Sequence, residues 1–350
     1  MTCLYPRGPL EAAKDLFRFL LVVFFTGGML PGCTGKSNMV TAIVINPENP
    51  AIVFIATNDS VYKTRDDGAT WVPVTTGLGN ARILSLAINP SNPSMIYAGT
   101  LGDAVYRSVD GGNRWSIINA GLKEHVTVVN AFIFYPQNSD VILAATTVGL
   151  FKTVNGGMMW DDVPNKGMDS VYIVSVAQDP ANTNVLYAGT SGGVYKSMNG
   201  GMTWRESNNG LIKPGPGTAL SLGINSLAMD PVKTTTLYAG TTRGVFKTTD
   251  GAASWVKIQE GIGERFTATV LIQPASSATL LAGTEEGIYK STDGGEHWMS
   301  LDNGLVNRNV RSLVMHPKDP NILYAGTQGG LFKTMDGGAH WTALTIRPKG

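Results

Sequence analysis

Short runs of apolar and polar residues alternate along most of the chain and return with a nearly constant period. One run is exemplified by Ile83–Ile88 and Val310–Met315, and a second by Leu186–Thr190 and Leu323–Thr327. Their alternation and β-branched content are typical of β-strands. A proline follows the first run in every repeat. It ends the strand there, because proline cannot donate to a strand ladder. The pattern therefore predicts two strands, a and b, in each unit.

A third run, strand c, ends each time in an aromatic residue followed by a cation. These two side chains point to opposite faces of the sheet. We expect the aromatic to pack between neighbouring units and the cation to reach solvent or a neighbouring carboxylate. A ring of seven cations that binds an anion is the alternative. The pairs are Tyr62-Lys63, Tyr106-Arg107, Phe151-Lys152, Tyr195-Lys196, Phe246-Lys247, Tyr289-Lys290 and Phe332-Lys333.

A box of eight residues, Ser/Thr-x-Asp/Asn-x-Gly-x-x-Trp, follows each cation pair and recurs seven times. Asp or Asn can bond back to main-chain amides, Gly can take a positive φ, and Ser or Thr supplies a hydroxyl, so the box predicts a tight turn. The Trp then begins a fourth strand, d. Ala252 replaces the Gly of the fifth box, which predicts a strained or altered turn there and a gain in stability for Ala252→Gly. The Trp residues are Trp71, Trp115, Trp160, Trp204, Trp255, Trp298 and Trp341.

The Trp residues lie 44, 45, 44, 51, 43 and 43 residues apart by subtraction of their numbers. This period is expected of one propeller blade per repeat. We therefore predict an all-β fold, a seven-bladed β-propeller of four-stranded antiparallel blades over residues 40–346. Because strand direction alternates, the box turns and the proline turns share one face, which we call the box face. The b–c and d–a loops share the opposite face, which we call the variable face.

The chain has 350 residues, a net charge of +1 and 15% charged residues, so bulk charge does not indicate a nucleic-acid partner. Its only cysteines, Cys3 and Cys33, precede the repeats. The four histidines are scattered among the blades. The sequence predicts no disulfide within the propeller, no metal site and no cofactor.

Residues 1–33 resemble a signal peptide, since Arg7, Lys14 and Arg18 precede an apolar run of about a dozen residues, shorter than the roughly 20 of a spanning helix. Residues 30–33 resemble a bacterial lipobox, which would make Cys33 the site of lipid attachment. An ordinary secretory signal or an uncleaved anchor is the alternative. We expect an extracytoplasmic monomer that meets the membrane only through the lipid, with residues 34–39 as a linker and 347–350 as a tail.

The boxes and the surrounding repeats resemble Asp-box, or BNR, repeats. Similar units occur in the photosystem II stability and assembly factor family, in sortilin-type domains and in xyloglucanases. The resemblance implies the propeller fold, but it says little about function because these boxes are turns. In xyloglucanases the catalytic acids face each other across a cleft between two propellers, whereas this chain supplies one. Sialidases have six blades and an arginine triad, and the present chain lacks their Arg-Ile-Pro motif.

The variable face is the expected location of a binding site, because the variation in loop length falls on it. The segment between Trp204 and Pro231 holds the one large insertion, which is either a binding loop or a tolerated flexible insertion. The candidate binding residues are Leu211, Ile212, Lys213, Pro214, Arg243 and Asp59.

Glycoside hydrolysis would require two carboxylates about 5 to 9.5 Å apart. Candidates on the variable face are Asp103, Glu285 and Glu286, of which the last two are adjacent in sequence and expected to diverge. The sequence favours a non-catalytic extracytoplasmic binding or assembly scaffold with a protein or glycan partner. The alternative is a carbohydrate-active hydrolase or a lectin-like domain. We also expect the ring to close through apolar packing between the first and last blades.

Overall fold

The computed structural model describes residues 39–58, 60–122, 126, 128–211 and 222–346. Within these ranges the strands form seven antiparallel sheets, each made of four consecutive strands. No helix in the described ranges is long and apolar enough to span a membrane.

Blades 1 to 4 contain the first sixteen strands. They are β1 (Val40–Ile45), β2 (Val53–Thr57), β3 (Val61–Thr64), β4 (Val72–Pro73), β5 (Ile83–Ile88), β6 (Ile96–Thr100), β7 (Val105–Ser108), β8 (Ser116–Ile117), β9 (Val129–Tyr135), β10 (Asn138–Thr146), β11 (Gly149–Thr153), β12 (Asp161–Asp162), β13 (Ile173–Gln178), β14 (Leu186–Thr190), β15 (Gly193–Ser197) and β16 (Arg205–Glu206).

Blades 5 to 7 contain the other twelve. They are β17 (Ile224–Met229), β18 (Leu237–Thr241), β19 (Gly244–Thr248), β20 (Val256–Lys257), β21 (Thr267–Gln273), β22 (Ser276–Thr284), β23 (Gly287–Ser291), β24 (Met299–Ser300), β25 (Val310–Met315), β26 (Leu323–Thr327), β27 (Gly330–Thr334) and β28 (Thr342–Leu344).

The a strands form the inner ring of the molecule. Each contacts the a strand of the next blade, and β25 contacts β1 to complete the circle. The short d strands pair only with the c strands and form the outer edge of each blade. The seven-bladed β-propeller predicted from the repeats is confirmed. The a strands therefore surround the central channel, and apolar clusters lie between neighbouring blades.

Each box turn is held by its own side chains, as the first box illustrates. The hydroxyl of Thr64 donates to Asp66 Oδ1 (2.6 Å) and accepts the N–H of Gly68 (3.0 Å), while Asp66 Oδ1 accepts the N–H of Thr70 (2.8 Å). Hydrogen bonds from Thr64 and Thr70 lower the pKa of Asp66 to about 2. The same bonds recur in the other six boxes. The boxes are thus structural turns.

Main-chain bonds confirm that the box and proline turns share one face. The N–H of Gly111 donates to the carbonyl of Ser94 (2.9 Å), and the N–H of Gly156 donates to that of Asp140 (2.9 Å). In the first case the box turn bonds the a–b turn of its own blade, and in the second it bonds strand b of its own blade near the start of that strand.

The cation at the end of strand c has a role that the sequence prediction missed. At five of the described junctions it donates to a main-chain carbonyl in the box of the next blade, and two of these cations, Lys247 and Lys333, also approach a carboxylate as expected. We call the bond to the carbonyl the latch. Tyrosines of strand b donate to the same carbonyls, as Tyr97 does to Gly156 O (3.0 Å). The latches of four junctions run from Lys63 to Gly111 (2.6 Å), Arg107 to Gly156 (2.6 Å), Lys196 to Gly251 (2.7 Å) and Lys247 to Gly294 (2.9 Å).

The fifth box is altered in the way its alanine predicts. Ala252 is buried and has a φ of 67°, whereas the glycines at the same position have φ values between 87° and 98°. The residue of blade 4 that faces it is Ser207, whose hydroxyl donates to the Ala252 carbonyl. At the other junctions a branched aliphatic residue stands at the position of Ser207. Because serine is smaller, it leaves room for the methyl group of Ala252.

Candidate functional site

The mouth of the channel on the variable face is formed by a repeated irregularity in the inner strands. Near its start, each a strand carries one extra residue, a β-bulge, opposite strand b. A bulge re-aims the side chain of the extra residue. We call these seven residues the collar. They are Thr41, Leu84, Asn130, Val174, Asn225, Ala268 and Arg311.

Polar collar residues connect one blade to the next. Thr41 Oγ1 donates to Ile83 O (2.9 Å), Asn130 Nδ2 to Ile173 O (2.7 Å) and Asn225 Nδ2 to Thr267 O (3.0 Å). Each acceptor is the residue just before the collar position of the following blade. Collar side chains at these three junctions therefore both line the mouth and join the blades.

Arg311 is the one charged member of the collar. Its Nε atom is buried and has no hydrogen-bond partner. Burial lowers the pKa of Arg311, and the charge of Glu285 in blade 6 acts in the opposite direction. The sequence prediction did not single out Arg311, because its distinction depends on the bulge that places it in the ring.

The proposed acidic residues of the variable face lie in separate environments. Glu286 accepts a hydrogen bond from Arg265 Nε (2.7 Å), whereas Glu285 Oε1 accepts the N–H of Phe266 (3.2 Å). The two glutamates share one turn, and their partners Arg265 and Phe266 are adjacent in sequence. Asp103 is exposed in the b–c loop of blade 2, where its main chain bonds Thr100 and Asn119.

The candidate binding residues are likewise dispersed. Arg243 is exposed in the b–c loop of blade 5, where its charge helps to lower the pKa of Glu264, although the bond and charge of Lys257 have larger effects. Leu211 is buried in the apolar cluster that contains Trp255, so it contributes to packing between blades 4 and 5 and is not offered to a partner. Four further candidates, Asp59, Ile212, Lys213 and Pro214, lie outside the described residues, as does Cys33.

Where a pKa shift is resolved, the described carboxyl groups do not have the electrostatics of a general acid. Every aspartate or glutamate among them with a resolved shift has a lowered pKa, and hydrogen bonds account for most of these shifts. A general acid near neutral pH needs a raised pKa. Also within the described ranges, no group of three or more acidic, histidine or cysteine side chains is placed to hold a metal ion.

A polar groove of about 470 Å³ lies on the box face, between blade 5 and the box of blade 6. Its walls include Lys247, Lys257, Glu260 and Glu296. His297 approaches Glu260 (Nε2 to Oε1, 3.6 Å), and its bond to Asp293 is the main reason why its pKa is raised. The lysines are already engaged, Lys247 with Gly294 O and Lys257 with Glu264. The sequence prediction placed nothing here.

Exposed apolar side chains are concentrated on the box turns and not at the channel mouth. Blades 3 and 4 present Met158, Met159, Met198 and Met202, together with Val154. On the variable face, the exposed Val306 lies in a d–a loop. The mouth is thus mainly polar.

No family model matches the chain. A curated relative, the probable oligoxyloglucan-reducing end-specific xyloglucanase of Neosartorya fischeri, is 31% identical over 145 residues, which cover 36% of this chain but 18% of the relative.

The fold is similar to that of several solved proteins. The GH74 xyloglucanase from Xanthomonas campestris has a TM-score of 0.71 at 19% identity, over 90% of this chain and 55% of that one. The extracellular domain of BT4673 from B. thetaiotaomicron has a TM-score of 0.67 at 16% identity, over 86% and 39%. YCF48 from Cyanidioschyzon merolae has a TM-score of 0.62 at 18% identity, over 87% and 97%. At these identities the similarity shows the fold alone. The chain spans about half the length of the xyloglucanase.

Proposed function

We propose that this chain is a non-catalytic extracytoplasmic binding or assembly module, and that a protein or glycan partner binds the variable face around the channel mouth. One observation carries the proposal: the described glutamates of this face bond neighbouring groups of the chain, Glu286 the Arg265 guanidinium and Glu285 the Phe266 N–H, and every described carboxyl group with a resolved pKa shift has a lowered pKa. An arrangement of this kind suits recognition better than acid–base chemistry. A peptide is the favoured class of partner, since a solved structure of YCF48, with the same fold, is bound to a D1 peptide.

The proposed location rests on the signal-peptide pattern of residues 1–33 and on the similarity to an extracellular domain. Lipid attachment at Cys33 is part of the proposal. A Cys33→Ser variant should lose incorporation of labelled fatty acid in a bacterial host, and incorporation that persists in the variant would contradict it.

The assignment of the partner to the variable face can be tested by crosslinking the full chain in envelope extracts and comparing variants of the two faces. Arg243→Ala and Asp103→Ala change the variable face, whereas Arg114→Ala removes an exposed arginine from the box face. We expect the first two to weaken capture of the crosslinked partner and the third to leave it unchanged. Equal effects of Arg243→Ala and Arg114→Ala would contradict the assignment of the face.

A hydrolase is the second candidate, and the match to a xyloglucanase over 145 residues is the observation that favours it. The test is the release of reducing sugar from xyloglucan oligosaccharides by the purified full chain. We expect no release above the background of the heat-treated protein. Turnover that is lost in Glu285→Gln or Glu286→Gln would replace the proposed function with hydrolysis.

A further inference from the structure

Polar and apolar residues alternate around the collar from blade 1 to blade 6. Arg311 of blade 7 is polar but differs from the other polar members in being charged and in having an Nε atom without an acceptor. Blades 1, 3 and 5 contribute Thr41, Asn130 and Asn225, which all donate to the following blade. Blades 2, 4 and 6 contribute the apolar Leu84, Val174 and Ala268. Blade 7 contributes Arg311, whose Nε has no acceptor. The fold tolerates a neutral side chain at this position in six blades, so ring formation does not require the guanidinium.

A buried guanidinium nitrogen without an acceptor calls for an explanation in terms of a ligand. Leaving such a group unsatisfied is costly, because it has lost its water without gaining a partner. A guanidinium presents its N–H groups as a planar fork, which matches the two oxygens of a carboxylate or the oxygens of a phosphate. Although Nε is buried, Arg311 as a whole is partly exposed near the start of β25, on the variable face.

The charge near Arg311 selects between these two anions. Glu285, in the neighbouring blade, is close enough to influence the Arg311 charge, but it bonds Phe266 N–H. Its negative charge repels a dianion more strongly than a monoanion. A singly charged carboxylate is therefore favoured over phosphate.

We propose that Arg311 binds a carboxylate group of the partner at the mouth of the channel. The proposal rests on the proposed use of the variable face and names the chemistry recognised there. It assigns the collar position of blade 7 to recognition, while the same position in blades 1, 3 and 5 joins neighbouring blades.

The direct test follows the Arg311 Nε–H resonance of the full chain labelled with ¹⁵N-arginine. Sodium acetate is the carboxylate probe, acetamide is its neutral counterpart, and inorganic phosphate is the competing anion. We expect a saturable shift with acetate, none with acetamide and a weaker response to phosphate. A wild-type protein that does not respond to acetate would overturn the proposal, and a tighter response to phosphate would overturn the choice of carboxylate.

Variants separate recognition from a structural role. Arg311→Leu copies the residue that blade 2 holds at Leu84, so we expect the acetate-dependent shifts of the backbone amides around position 311 to disappear while the melting temperature stays equal or rises. Arg311→Lys should keep part of the response, because it retains the charge but not the fork. Arg243→Gln, on the same face, should respond like wild type. A lower melting temperature for Arg311→Leu, or an unchanged acetate response, would show that Arg311 is structural.

The crosslinking experiment on Arg243 and Arg114 keeps this proposal distinct from the proposed function. If acetate binds at Arg311 but partner capture does not depend on the variable face, the function fails and the anion site stands. If capture depends on that face and Arg311→Leu captures as well as wild type, the carboxylate proposal fails.

Discussion

The junction between blades 7 and 1 differs from the other six, across which the chain itself runs from one blade into the next. At the residue whose carbonyl receives the latch, six boxes have glycine, whereas the first box has Asp67, with a φ of 59°. Lys333 and Tyr324 of blade 7 donate to the Asp67 carbonyl, both at 3.0 Å, and also to its carboxylate. The closing junction thus combines the common latch with an ion pair.

The difference shows how a non-covalent junction can be reinforced. The Lys333 side chain is 9% exposed, so its charge needs a close counter-charge, which Asp67 supplies. Burial, followed by the bond to Asp67, raises the pKa of Tyr324. Around this pair, Val40, Ile43 and Trp71 of blade 1 pack with Tyr324 and Leu331 of blade 7. The apolar packing expected at ring closure is present, and Lys333 reaches a neighbouring carboxylate, which was one of the two positions expected for the strand c cations.

The tryptophan bonds also change at the closing junction. Trp115 Nε1 donates to Val74 O of the preceding blade, and Trp341 Nε1 likewise to Leu301 O (both 2.8 Å). Trp71 Nε1 instead donates to Gly68 O within its own box (3.1 Å). At blade 1 the indole therefore contributes apolar contact but not the inter-blade hydrogen bond.

The largest expected effect comes from deleting residues 341–350, which breaks the closing junction outright. The deletion removes Trp341, which packs in the cluster between blades 6 and 7, and also Leu344 of the last d strand and Ile346 beyond it, which pack against the cluster that holds Trp71. Loss of one buried Trp costs about 3–5 kcal/mol, and further packing is lost with it. We expect no cooperative thermal unfolding by circular dichroism. Deletion of residues 347–350 is the control, and a transition of wild-type shape in the longer deletion would disprove this account of closure.

A smaller effect is expected from exchanging Asp67 of the closing junction with the glycine that the other six boxes have at the same position. Asp67→Gly converts the closing junction into an ordinary one and removes charged hydrogen bonds, at a cost of about 2 kcal/mol in the free energy of unfolding. Gly251→Asp makes the reverse change, since a Cβ at Gly251 would lie 3.1 Å from Lys196 Nζ.

Gly251→Asp should change stability by less than about 1 kcal/mol, because aspartate tolerates a positive φ and gains the lysine. Gly251→Ala, its matched control, should lose about 1 kcal/mol. Urea unfolding measures all three variants. If Asp67→Gly is neutral, the ion pair does not reinforce closure.

The smallest effect is expected at the ordinary junction between blades 4 and 5. A Cβ at Gly201 or Gly295 would lie 2.7 Å from Val163 or 2.4 Å from Ile258, whereas Ala252 faces the smaller Ser207. Ala252→Gly relieves backbone strain but removes a buried methyl, so the net gain in stability should be below about 0.5 kcal/mol. This is less than the sequence alone suggested.

Ser207→Val alone should be destabilising by about 1–3 kcal/mol through overpacking, and Ala252→Gly should rescue it. A double-mutant cycle in urea would then give a coupling of about 1 kcal/mol or more. Strict additivity would show that the two positions do not compensate each other.

The sequence predicted the blades and turns of this protein better than the contacts between blades. The boxes specify local turns whose bonds span four residues, as from Asp66 to Thr70, so they could be interpreted without the fold. The latch was missed because Lys63 and its acceptor Gly111 are 48 residues apart. One further signal was available and overlooked: a glycine follows six or seven residues after most of the tryptophans, and a Cβ on Gly77 would lie 2.1 Å from Trp115 O.

For the candidate site, the sequence proposed a face, and the residues that it named there are dispersed in the structure. Asp103 and Arg243 are exposed there as expected, while Leu211 is buried, and Glu285 and Glu286 bond Phe266 and Arg265. Arg311 looked like an ordinary strand residue. Its importance depends on a β-bulge and on the absence of an acceptor for Nε, which no spacing in the chain reveals.

By itself, the sequence determined the number of blades, the order of strands and the chemistry of the turns, because these follow from periodicity and from bonds between near neighbours. Only the tertiary structure decided which side chain satisfies which distant carbonyl, how Asp67 and Lys333 reinforce the last junction, and that Nε of Arg311 in the collar has no hydrogen-bond partner. The physical reason is that burial and partnership belong to pairs of residues that the ring brings together from different blades.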